Sequence, residues 1–134
     1  MFPALFKWGS IPSILFLSVC YLLMVTYDYL PIFKSSYDLL LKLFMAVKHF
    51  PKEYKYSLGD TIKQEMINLI TNIYKANTKE DKSKNIALAR EKLELIKLYR
   101  KLCHDLKIIP LKKYVEFLPL LADISKQLTA WAKA

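Results

Sequence analysis

The chain has 134 residues, 54% of them apolar, and carries 21 Lys and Arg against 12 Asp and Glu, for a formal charge of +9. That length supports one domain, and only two glycines argue against hairpin-rich sheets and phosphate-cradling loops. The apolar content exceeds what one core of this size buries, so some of it belongs to a membrane, a leader or a subunit interface. The charge calls for an anionic partner, nucleic acid or an anionic membrane surface.

No charged residue lies between Trp8 and Tyr27, and residues 14–25 are apolar apart from Ser18. The run is long enough for a membrane span. Pro12, Ser13 and the single flanking Lys7 weaken that reading, and no small-x-small site follows to mark signal-peptide cleavage. Three readings stay open: an anchor, an uncleaved leader, or sequence upstream of a start at Met24. The expected division is a leader over 1–23, a lead-in over 24–35 and a bundle domain over 36–134.

The first helix is expected over residues 36–50, where Tyr37, Leu40, Leu41, Phe44 and Val47 recur at spacings of three and four. Pro51 ends it. Ser57-Leu58-Gly59-Asp60 has the order of a capping box, so a second helix is expected from there to about Asn77, with Leu58, Ile62, Met66, Leu69, Ile70 and Ile73 inward. The charge-rich stretch over residues 78–84 breaks the periodicity. A third helix over 86–107 is stopped by Pro110, and a fourth over 111–132 carries Pro119, which should interrupt or kink it. Short connections make neighbours antiparallel, giving an all-α, up-down-up-down four-helix bundle.

On the third helix Ala89, Leu93, Ile96 and Cys103 share one arc, and Leu88, Leu95, Tyr99, Leu102 and Leu106 an adjoining one. Together they span about 200°, roughly twice what a surface helix needs. The first helix is similarly broad, because Leu39, Leu43, Ala46 and Phe50 adjoin its main stripe. Two such helices present more apolar surface than one bundle buries, and the remainder reads as an oligomer interface.

The opposite arc of the third helix carries Arg90, Lys97 and Lys101, with Arg100 and Lys107 at its edge, and Lys112 and Lys113 extend the row at the head of the next helix. From Arg90 to Lys101 the row covers about 16 Å, enough to meet two or three phosphates. Glu94 lies three residues before Lys97 and is placed to pair within the helix.

Catalytic and metal constellations are missing from the sequence. Cys20 and Cys103 imply no disulfide framework, and with His49 and His104 they offer no four-ligand spacing. Arg100 and His104 stand closer together than the arginine–histidine pair of helical ribonucleases, and no nucleophile lies beside a histidine base. His49, at the end of the first helix, suits a capping cation. No enzyme activity and no cofactor are expected.

The order of residues is more specific than the architecture. Leu30-Pro31-Ile32, Tyr37-Asp38-Leu39-Leu40-Leu41, Phe50-Pro51-Lys52, Leu58-Gly59 and Ala76-Asn77 occur in turn. They are followed by Ala89, Leu93-Glu94, Lys97, Lys101-Leu102, Asp105-Leu106, Tyr114 and the closing Ile124-Ser125-Lys126-Gln127-Leu128-Thr129-Ala130-Trp131. This succession resembles the accessory variability determinant (Avd) proteins of diversity-generating retroelements. Phe-Pro-Lys alone is shared with the bundle proteins of rRNA intervening sequences. The resemblance implies a homopentameric, basic barrel in the cytoplasm that binds the element's reverse transcriptase and RNA and supports error-prone cDNA synthesis. It makes Lys97 and Lys101 stand where family members commonly carry arginine, and Ser125 and Thr129-Ala130 where they carry glycine. It also makes Met24 the natural start; residues 24–134 retain a charge of +8, since Lys7 is the one charged residue removed. The alternatives are a membrane-anchored basic bundle and an rRNA intervening-sequence type of bundle.

Overall fold

A computed structural model describes residues 30–78 and 81–133. The apolar leader, Cys20 and the alternative start at Met24 lie outside the described residues. Six helical segments follow in order: α1 (Pro31–Lys48), α2 (Lys52–Lys55), α3 (Leu58–Asn77), α4 (Lys82–Asp105), α5 (Leu111–Glu116) and α6 (Leu118–Lys133). No strand occurs among the described residues. With α2 a single turn and α5–α6 one interrupted unit, the architecture is a four-helix bundle.

Helix α1 begins at Pro31, five residues ahead of the expected Ser36. Proline suits a first helical turn, where its missing N–H would have no partner. Its inward face is Ile32, Ser36, Leu39, Leu43 and Val47. The expected stripe is therefore corrected: of its members only Val47 is buried, while Tyr37 and Leu41 stand 47% and 49% exposed. The segment is apolar on both sides, and the serine within the true core stripe hides its phase.

After Pro51, with its extended ψ of 146°, α2 makes one turn and α3 starts at Leu58. The expected capping box does not form. Ser57 makes no side-chain cap, its Oγ instead donating to the Glu53 carbonyl at 3.2 Å. Asp60 still occupies the first turn, where a negative charge complements the helix dipole. Gly59 is buried against α1: a Cβ built there would lie 2.7 Å from Val47 Cγ1. The inward face of α3 is otherwise the expected one, except that Leu58 is only half-buried.

Helix α4 runs from Lys82 to Asp105, starting four residues earlier and stopping two earlier than expected. Its end is a Schellman motif: Lys107 adopts φ 60°, its N–H donates to the His104 carbonyl at 3.0 Å, and Ile108 N–H donates to the Cys103 carbonyl at 2.8 Å. Pro110 then precedes α5 with ψ 159°. Pro119 is the second residue of α6, so the expected interruption falls at buried Phe117. Proline there would clash with the carbonyl four residues back if the helix continued unbroken.

The bundle is tied across its helices. The Lys92 ammonium meets the Glu65 carboxylate at 3.2 Å between α4 and α3, and Lys42 meets Glu116 at 3.3 Å between α1 and α5. Ser35 Oγ donates to Asp123 of α6. Between α1 and the α5–α6 unit, paired residue numbers rise on one side as they fall on the other, which is antiparallel packing. Lys82 lies 5.6 Å from the Trp131 ring, joining the start of α4 to the end of α6. No helix of the described residues is long and apolar enough to cross a membrane.

Candidate nucleic-acid interface

The seven basic residues singled out by the sequence fall into distinct environments. Arg90, Lys97 and Lys101 share one face of α4 by helical spacing, and Lys97 stands beside α6. Arg90 is exposed and makes no ion pair among the described residues. Lys97 pairs with Glu94 at 2.9 Å, as their spacing predicts, and Lys101 pairs with Asp105 at 2.7 Å. That hydrogen bond raises the Lys101 pKa above its ordinary value and lowers that of Asp105 below the usual carboxylate range. Such surface pairs are worth little and exchange readily for a phosphate.

Arg100 is not part of the outward row. Its guanidinium lies 4.1 Å from the Tyr114 ring centroid, and Nη1 donates to the Tyr114 carbonyl at 3.0 Å. The His104 ring lies 4.4 Å from the same tyrosine. Arg100 and His104 are thus engaged in seating α5 on α4. Lys107 belongs to the turn after α4 and is exposed. Lys112 is exposed on α5 without an ion pair among the described residues, whereas Lys113 pairs with Glu116 at 3.3 Å. Lys113 first and Lys42 second hold the Glu116 carboxyl below its ordinary pKa.

Two contributors were missed in the sequence. Lys97 lines an open groove of about 610 Å³ with Lys126 and Lys133 of α6, over a floor that includes Ala122, Ser125 and Thr129. Lys126 and Lys133 are seven residues apart, two helical turns, which puts both on one side of α6. That spacing was the available signal. The groove has small side chains below and ammonium groups at its rim, so it can receive an extended polyanion but holds no group that could do chemistry on one.

Cys103 is buried, and burial pushes its thiol up to about 11, away from nucleophilic use. No group of His, Cys, Asp or Glu among the described residues is arranged to hold a metal ion.

Fold and surface together define the class as a small basic helical-bundle protein. Residues 30–134 match the bAvd-like family, and the chain belongs to it. This is a family of accessory proteins. A comparison with curated proteins gave no match.

Proposed function

We propose that the chain is the accessory protein of a diversity-generating retroelement, acting in the cytoplasm as a homopentameric barrel that holds the element's reverse transcriptase and RNA during mutagenic cDNA synthesis. Family membership supports this reading, and the observation that carries it is the basic wall formed where α4 meets α6. Lys97 faces Lys126 and Lys133 across the groove, and Arg90 and Lys101 share the face of α4 that carries Lys97 by helical spacing. Lys107 and Lys112, exposed after the end of α4 and at the start of α5, add to the proposed surface, whereas Arg100 and Lys113 are held by Tyr114 and Glu116.

Lysines at these positions recognise phosphates as point charges without the bidentate fork of arginine. Binding should therefore depend on charge and salt more than on base sequence. The exposed apolar residues of α1, α4 and α5 supply the subunit contacts of the barrel.

Single-stranded RNA binding and co-purification of the element's reverse transcriptase test the reading in the full-length chain. Replacing Lys97 and Lys126 with glutamate should weaken RNA binding and flatten the dependence of log K on log salt by about 1.4, two phosphate contacts on a single strand. Unchanged affinity and slope, with the enzyme still retained, would assign the wall to solvent.

A further inference from the structure

Two exposed seams in the bundle have the same length and opposite end charges. On α1, Lys34, Leu41 and Lys48 follow at seven-residue intervals, with Tyr37 and Met45 between them. On α4, Glu91, Leu98 and Asp105 do the same, with Leu95 and Leu102 between them. Seven residues are close to two helical turns, so each set forms a line along its helix, as in a coiled-coil seam. The apolar members stand open: Leu41 is 49%, Met45 59%, Leu98 58% and Leu102 40% exposed. All four end residues are exposed, and Lys34, Lys48 and Glu91 make no ion pair among the described residues.

The seams also lie at the same height. Ser35 bonds Asp123 and Lys42 pairs with Glu116, which fixes α1 against the α5–α6 unit. Arg100 stacks on Tyr114 and Lys82 on Trp131, which fixes α4 against the same unit. Both helices run antiparallel to that unit and therefore parallel to each other. With α5–α6 as a common ruler, Ser35 is level with Glu91, and Lys42 with Leu98, to within about a turn. Lys34 and Lys48 thus match Glu91 and Asp105 in both spacing and level.

We propose that these seams are mating faces between successive copies of this chain, α1 of one against α4 of the next, an assignment that rests on the ring assembly proposed above. Leu41 meets Leu98 at the centre of the contact, with Lys34 opposite Glu91 and Lys48 opposite Asp105 at its ends. Pairing α1 with α1 about a two-fold axis would oppose Lys34 to Lys48, and pairing α4 with α4 would oppose Glu91 to Asp105. Both juxtapositions are repulsive, so charge selects the unlike pair. An unlike pair that needs no shift along the helix axis closes into a ring instead of growing into a filament.

Charge exchange in the full-length chain tests the assignment, read as sedimentation mass over a range of concentrations with helicity followed by circular dichroism. K34E/K48E and E91K/D105K each make the two seams alike, and each should require about tenfold more protein, or greater, to assemble. The four substitutions combined restore opposite charges and should return the wild-type mass at wild-type concentration. L41N and L98N spare every charge and supply a second test. Each should be monomeric alone, and the mixture should form a heterodimer through its one intact contact. Half-exchanged chains that assemble like wild type, or a full exchange as weak as its halves, overturn the seam assignment while leaving the assembly standing. A wild type that stays monomeric overturns the assembly and the seams together.

Discussion

Two residues show how narrow the local tolerances are. Lys107 holds φ 60° at the position after α4 where helices commonly use glycine, because the Schellman bonds of residues 107 and 108 need that turn. A side chain in this region costs about 1 kcal/mol or more relative to glycine. Lys107→Gly is expected to raise unfolding free energy by roughly 1 kcal/mol in a urea titration, offset in part by the freer unfolded chain. Gly59 is the converse case, with Val47 Cγ1 only 2.7 Å from where its Cβ would stand. Gly59→Ala should cost about 1–3 kcal/mol in the same measurement, since α1 and α3 would have to separate. A stable Gly59→Ala variant would mean that the Leu-Gly element serves something other than this approach.

At the scale of elements, α1 has two apolar faces of which one is core. Leu39 is fully buried and Leu41 half exposed, although sequence periodicity favoured the second. Leu39→Ala is expected to cost about 2–5 kcal/mol and Leu41→Ala about 0.5 kcal/mol or less in a dilute, unassembled sample, measured by thermal or urea unfolding. Helix number, order and the faces of α3 and α4 were legible in the sequence, because Ile62, Met66, Leu69 and Ile73, or Ala89, Leu93 and Ile96, admit one inward phase. The phase of α1 was not, since a serine sits in its core stripe and a second apolar stripe lies beside it. Likewise Ser57 to Asp60 matched a cap in order but not in geometry, the serine hydroxyl being drawn back to Glu53. The basic groove was half legible: spacing along α4 pointed to Lys97, whereas Lys126 and Lys133 join it through packing of α6. Spacing also put Arg100 in the basic row of α4, and its stacking on Tyr114 turns it to a structural use.

For the whole molecule, the charged surface falls into two kinds by position. The flank of α4 toward α6 gathers ammonium groups around a groove, while the ridges of α1 and α4 carry apolar seams with opposite charges at their ends. Under the proposed function, the chain would bring an enzyme and its template together, which is an effect of proximity and orientation. The most direct measurement is cDNA synthesis by the reverse transcriptase of the same element on its own RNA, with and without the full-length chain. Template-directed product is expected with the wild-type chain and is expected to be lost with Lys97→Glu/Lys126→Glu at unchanged helicity. Equal product without the chain, or with the double variant, would contradict the assigned role.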